Sequence, residues 1–207
     1  MKTLFLKSAT APLIISLVDI NYNELICVDT INENELLAGQ PSKSLFLAIT
    51  MLLERNKLDF GDINRLYIAS GPGSYTGTRL LVTIVKTIWS LLPQIEIYDT
   101  SILAILERMS QEITETNYLS IVYARKNKYY VNGKLPNGQL VVDSVKDTRA
   151  VEILLEQMTI VNGQSETKTI AEYLQVPLQY DAWYAVSKRI NDIDLYEPYY
   201  LEGVTIG

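Results

Sequence analysis

Residues 66–98 constrain this chain more than any other stretch. Leu66-Tyr67-Ile68-Ala69 is a short apolar strand, followed by the loop Gly71-Pro72-Gly73-Ser74-Tyr75-Thr76-Gly77. A helical run from Thr78 to Leu92 comes next, Pro93 stops it, and Ile95 to Tyr98 gives another strand. The rest of the chain repeats the theme. Thr3 to Leu6, Leu13 to Val18 and Leu25 to Thr30 are strand-length apolar runs, Pro41 opens a helical pattern reaching about Asn56, and Thr100 starts a helix near 101–110. Strands first, then helix–strand alternation, argue an α/β fold. Polar Gln111 to Thr116 reads as the seam between two lobes, residues 1–110 and 111–207. Beyond it, Tyr118 to Tyr123 and Tyr129 to Val131 form a hairpin across Arg125-Lys126-Asn127, and Asn137-Gly138 signals a second hairpin.

Absences narrow the chemistry. There is no histidine in 207 residues, which excludes imidazole bases, Ser-His-Asp and Cys-His arrangements and histidine-containing zinc sites. The one cysteine, Cys27, lies in the apolar run Leu25-Ile26-Cys27-Val28, which reads as a buried strand and implies the reducing cytoplasm. The net charge is −6, and no cluster of Lys and Arg along the sequence supplies the basic stripe needed to bind nucleic acid alone. Lys7 breaks the apolar N-terminus too early for a signal peptide. Thr83, Lys86, Thr87 and Ser90 interrupt the longest apolar stretch, Leu80 to Leu92, so no membrane span is expected.

The glycine loop sits where phosphate-binding loops live, yet its spacings fit neither common template. Five residues separate Gly71 from Gly77, and Thr78-Arg79 follows where a P-loop has Lys-Ser or Lys-Thr. Three residues separate Gly73 from Gly77, where the dinucleotide fingerprint has two. Pro72 occupies the first glycine of a nucleophile elbow, so Ser74 is no nucleophile. The loop is expected to be structural. Ser74 or Thr76 caps the helix, and Gly73 or Gly77 is left-handed or pressed against the preceding strand. Direct anion binding by the helix N-terminus is the alternative.

Both helices that flank this loop carry excess apolar surface. At 100° per residue, Leu80, Leu81, Val82, Ile84, Val85, Ile88, Trp89, Leu91 and Leu92 cover an arc of about 200°, where a helix on a sheet needs about 100°. The earlier helix has a core arc of Leu45, Phe46, Ala48, Ile49, Leu52 and Leu53, and beside it the i, i+4 pair Leu47 and Met51. The candidate partner interface is therefore Leu47, Met51, Leu81, Val85 and Trp89. A second layer of the chain's own core is the competing reading.

The stretch Gly71-Pro72-Gly73-Ser74-Tyr75-Thr76-Gly77-Thr78-Arg79, with Lys86 after it, resembles the signature of the bacterial TsaB (YeaZ) family. Thr100-Ser101-Ile102-Leu103-Ala104, Ala124-Arg125 before Tyr130, and Pro198-Tyr199-Tyr200-Leu201 are similar to further family segments in the same order. The chain diverges elsewhere. Lys7-Ser8-Ala9 stands where members carry Asp-Thr-Ser, which removes a metal-side carboxylate and leaves what reads as a surface lysine. Pro41-Ser42-Lys43 replaces His-Ser-Glu, and Tyr123, Lys128 and Glu202 replace an Asp, a Glu and an Arg.

The resemblance implies two actin-like (ASKHA, ribonuclease H-like) lobes, the second smaller and irregular. It implies a cytoplasmic, non-catalytic scaffold subunit in making threonylcarbamoyladenosine in tRNA, with no cofactor of its own. The partners it implies are the catalytic subunit TsaD, which docks on the two helices, and the ATPase TsaE, with ATP and metal on those partners. A homodimer through the same helices is the other expected assembly, and tRNA is met only through the complex. Two rival functions stand beside this one. One is a nucleotide-dependent ASKHA enzyme or glycoprotease-like peptidase acting alone, against which the missing histidine and Lys7 argue. The other is a self-contained homodimeric binding protein.

Overall fold

The fold is known from a computed structural model, which describes residues 1–10, 13–21, 24–32, 41–113, 116–124, 126–164 and 179–198. Arg125, Glu202 and most of Pro198-Tyr199-Tyr200-Leu201 lie outside the described residues. The chain divides into two compact units. Met1–Ser70, Ser74–Thr100 and Ser187–Pro198 form the first, and Gly71–Gly73 with Ser101–Val186 belong to the second.

The first unit holds a six-stranded sheet. Its strands are β1 (Lys2–Lys7), β2 (Ile14–Asn21), β3 (Glu24–Asn32), β4 (Arg65–Gly71), β5 (Glu96–Ser101) and β10 (Lys188–Arg189), in the spatial order β10-β5-β4-β1-β2-β3. β1, β2 and β3 form an antiparallel meander, and β1 pairs parallel with β4. Two helices, α1 (Pro41–Arg55) and α2 (Tyr75–Leu91), pack with the sheet. Strand alternation sends Leu4 and Leu6 of β1, Ile15 and Leu17 of β2 and Ile31 of β3 into one core. Leu45, Ala48, Ile49, Leu52 and Leu53 of α1 meet them, as do Leu81, Ile84, Val85 and Ile88 of α2. Those spacings are the i, i+3, i+4, i+7 stripe of a half-buried helix. The opposite face of the sheet carries a ladder of rings, Phe5 on Tyr67 at 4.9 Å and Tyr67 on Tyr98 at 4.7 Å.

The central strand β1 is buried on both faces, and this overturns one expectation. Lys7 is no surface lysine: its exposure is 0%. Cys27 goes the other way. β3 is an edge strand with a bulge opposite Leu17 and Val18, and Cys27 is exposed on it.

The second unit is built on a four-stranded sheet of order β8-β7-β6-β9. Its strands are β6 (Tyr118–Tyr123), β7 (Lys128–Lys134), β8 (Leu140–Asp147) and β9 (Ile160–Gln164). Both expected hairpins form, since β6 pairs antiparallel with β7 and β7 with β8. Gly138 takes φ +83° in the second turn, backbone that a side chain disfavours. α4 (Thr148–Leu155) brings Val151 and Leu155 onto Leu119, Ile121, Tyr129, Val131 and Val161.

The contacts of α3 (Ile102–Ile113) are more polar. Asn162 donates to Ser110 Oγ at 2.8 Å, and Tyr118 donates to Glu107 at 2.7 Å. α3 packs on β6, β9 and α5 (Tyr180–Val186), so the chain from Ser101 groups with this sheet rather than with residues 1–110. Residues 187–198 then return to the first unit, where Ile193 enters the core and β10 pairs with β5.

Candidate functional site

One face of α1 is apolar and uncovered. Phe46, Leu47 and Met51 are 48%, 47% and 39% exposed. Measured from Leu45, Phe46, Thr50, Leu47 and Met51 follow one another at about 100°, 140°, 200° and 240° around the axis, opposite the core stripe. Thr50 keeps its hydroxyl occupied by donating to the Leu47 carbonyl at 2.8 Å. Phe46 stacks on Phe60 with centroids 5.9 Å apart. Phe60 opens a short 3-10 turn, Phe60–Asp62, held by reciprocal hydrogen bonds between Asp59 and Asp62.

The C-terminal end of the ridge helix is clamped. Arg55 makes a two-pronged ion pair with Asp29 of β3, both bonds at 2.8 Å, and the Asn56 amide donates to the same carboxylate at 2.8 Å. Burial alone would raise the Asp29 pKa. The Arg55 and Asn56 hydrogen bonds outweigh it and hold the group below the usual carboxylate value.

The five residues expected at an interface separate into two groups. Leu47 and Met51 lie on the ridge. Leu81 and Val85 are 0% exposed within the first unit's core, so they cannot meet a partner in this fold. Trp89 is partly buried and packs on that core as well. The broad apolar arc of α2 is largely absorbed, because Thr78, Leu81, Val82, Ile84, Val85 and Ile88 are buried over about 160° of the helix. Its exposed positions include Thr83, Thr87 and Ser90, and at its two ends Tyr75 and Leu91.

On α1, Phe46 departs from the expected core arc, since it is exposed. It falls only about 20° beyond Leu53 on the helical wheel, at the margin of the core stripe. A large ring at that margin either packs inward or lies out on a neighbour, and the aromatic Phe60 in the next turn was the available sign.

The glycine loop is structural in each of its contacts. Ser74 caps α2 by accepting from the Gly77 N–H at 3.3 Å. The Ser74 N–H donates to the Ala9 carbonyl, and the Ser8 hydroxyl donates to the Gly77 carbonyl at 3.0 Å. A Cβ on Gly77 would overlap the Ser8 carbonyl oxygen. Positive φ falls at Gly71, at 148°, and not at Gly73.

A polar cluster that the sequence did not reveal lies where β4 and β5 end. Asp99 accepts from the Ser70 hydroxyl at 2.8 Å and the Ser70 N–H at 3.2 Å, with the Tyr196 hydroxyl alongside. Burial pushes its carboxyl up to about 6, against the Ser70 and Tyr196 hydroxyls, which favour the charged form. No group of three or more Cys, Asp or Glu side chains that could hold a metal ion occurs among the described residues.

Comparison with known proteins bears on what this arrangement is. No protein-family model matches the chain. It is 33% identical over 98 residues to the uncharacterized protein MG208 of Mycoplasma genitalium, 46% of either length. It is 23% identical over 142 residues to the tRNA threonylcarbamoyladenosine biosynthesis protein TsaB of Buchnera aphidicola, 64% of either length. The chain therefore spans less than two thirds of each of these relatives. In structure the match is wider. A crystal structure of a protein with similarity to peptidase YeaZ from Pseudomonas aeruginosa superposes with a TM-score of 0.65 at 16% identity, covering 97% of this chain and 99% of that one. YeaZ from Pseudomonas aeruginosa gives 0.58 at 15% identity, with 89% of each chain covered.

The chain has the YeaZ fold.

The α/β class expected from the sequence is the observed one, in two compact units that each hold a sheet. The resemblance to TsaB (YeaZ) proteins holds at low identity, as the substitutions at Lys7 and Pro41 lead one to expect. No helix among the described residues is long and apolar enough to cross a membrane.

Proposed function

We propose that this chain is a non-catalytic scaffold subunit in tRNA threonylcarbamoyladenosine biosynthesis, docking on the catalytic subunit TsaD through the α1 ridge. The carrying observation is the contiguous exposed set Phe46, Leu47 and Met51 on a helix that is firmly held beneath. Burying the exposed halves of these three side chains is worth about 1 kcal/mol each, so the ridge supplies about 3 kcal/mol of an association, with polar flanks making up the rest. The TsaB relative and the YeaZ fold support placing the chain in this process. TsaD carries the transfer chemistry and the metal in this reading. The scaffold keeps it in a competent conformation, TsaE docks on the pair in the cytoplasm, and a second copy occupies the ridge when TsaD is missing.

The test is capture. Tagged wild-type chain, expressed with its own organism's TsaD, retains TsaD through purification, and Leu47→Glu/Met51→Glu does not while keeping its circular dichroism spectrum. Equal retention by the folded double variant would move the docking face elsewhere. A purified chain that transfers threonylcarbamoyl or hydrolyses ATP without TsaD would end the scaffold reading.

A further inference from the structure

The acidic total of this chain hides a local reversal. Four cations lie at one end of the second unit's sheet, with Lys128 and Lys146 on its opposite faces. The β6–β7 turn puts Lys126 and Asn127 in left-handed backbone, φ 50° and 60°, and leaves Lys126 and Lys128 exposed. Across the β7–β8 pair, Lys128 faces Asp147 and Tyr129 faces Lys146. The Thr148 N–H and hydroxyl both donate to the Asn127 carbonyl, at 2.9 and 3.1 Å, which ties the start of α4 to the turn. Arg149, the next residue, is exposed.

One acid sits among them. Asp147 is occupied as the α4 cap, accepting from the Ala150 N–H at 2.8 Å, and Glu152 follows one turn along the helix. Lys126, Lys146 and Arg149 make no ion pair among the described residues. The exposed side chains of the tip are Lys126, Asn127, Lys128, Asp147 and Arg149, with one exposed apolar neighbour, Ile153, a turn along α4. A protein partner's interface has a desolvated centre, and a single isoleucine at the margin is too little to form one. Separate exposed point charges suit phosphates, which are held without reading bases.

We infer that this tip is a contact for the phosphodiester backbone of RNA. The inference rests on the proposed role in a tRNA-modifying assembly. The contact is sequence-independent and auxiliary. Each phosphate neutralised contributes about −0.7 to −0.9 to the slope of log affinity against log salt, so Lys126, Lys146 and Arg149 together give about −2.

The experiment titrates bulk tRNA with the full chain at low ionic strength and repeats it across a salt series, with polyglutamate as a second polyanion. Wild type is expected to bind tRNA with that slope. Lys126→Gln/Lys146→Gln/Arg149→Gln is expected to lose at least about tenfold in affinity and about two units of slope, with an unchanged circular dichroism spectrum. If the triple variant fails to fold, the single changes Lys126→Gln and Arg149→Gln carry the same comparison, each flattening the slope by about one unit. No tRNA binding by wild type at low salt, or the same slope in wild type and folded variants, overturns the inference. So does a loss confined to polyglutamate, which would make the tip a site for an acidic protein. The ridge variant Leu47→Glu/Met51→Glu is expected to keep the full tRNA slope while losing TsaD, so failure of the docking reading and failure of this one give different results.

Discussion

Gly77 and Ser8 touch across the first unit so closely that only a hydrogen fits where a side chain would begin. A Cβ on Gly77 would meet the Ser8 carbonyl oxygen, while the Ser8 hydroxyl donates to the Gly77 carbonyl at 3.0 Å. The contact joins the end of β1 to the first turn of α2.

Gly77→Val should accordingly destabilise the fold by about 1–3 kcal/mol, because the clashing atom is backbone and cannot swing aside. Gly73→Ala, at a residue without positive φ, is expected to cost less. Denaturant unfolding of both variants checks this. Equal losses at the two positions would show that the loop tolerates a Cβ at Gly77.

The two sets of apolar helix residues should behave oppositely. Leu81→Ala and Val85→Ala remove fully buried side chains, and a buried Leu→Ala change costs about 2–5 kcal/mol. Leu47→Ala, on the ridge, should stay within about 0.5 kcal/mol. The charged pair Leu47→Glu/Met51→Glu should melt near the wild type yet weaken association about a hundredfold, the equivalent of about 3 kcal/mol. Thermal melts of the isolated chain and a titration with TsaD separate the two effects.

Asp99 makes stability depend on pH in the less common direction. Its carboxyl is raised from 3.8 to about 6 by burial, so the folded state binds a proton that the unfolded chain releases. That contribution is fully present below 3.8 and is lost as pH rises through 6, at most about 3 kcal/mol. Asp19 and Glu96, held low chiefly by hydrogen bonds from the N-terminal ammonium and Arg65 respectively, act in the opposite sense, losing their contribution as pH falls. The signature of Asp99 is thus a difference. Asp99→Asn should flatten the stability profile between about pH 4 and 7 relative to wild type. Parallel profiles would show that the carboxyl titrates at its ordinary value.

Cys27 should react in the native state. It is exposed on the edge strand, so a thiol reagent is expected to modify it without denaturant. Protection until unfolding would mean that β3 is covered in solution.

How far these features could be read from the sequence depended on whether their cause was local. Leu45, Ala48, Ile49, Leu52 and Leu53 repeat at helical spacing and duly line the core, and Asn137-Gly138 announced a turn that Gly138 closes with positive φ. Ser74 was identifiable as a cap because the cap is set within one turn. Lys7 and Cys27 were both misread for one reason. Each strand's burial is decided by its place in the sheet, and a central β1 beside an edge β3 cannot be seen in runs of similar hydrophobicity. Most apolar residues of the α2 arc line the chain's own core, while Leu91 at its end is left exposed. Asp99, Ser70 and Tyr196 meet only because β5 lies beside β4 and the chain comes back after residue 186. The basic tip likewise exists only once Lys146 is set opposite Tyr129.

The order of strands also sets a schedule for synthesis. β1, β2 and β3 are neighbours in sequence and can pair as soon as they leave the ribosome, but the second edge of β1 is reserved for β4, whose residues 65–71 emerge later. During that interval the strand that ends up most buried, with Leu4, Phe5 and Leu6 at its centre, presents an unpaired apolar edge. Open edges of this kind recruit other chains. The interval before residue 71 appears is when a nascent copy of this protein is most exposed to aggregation.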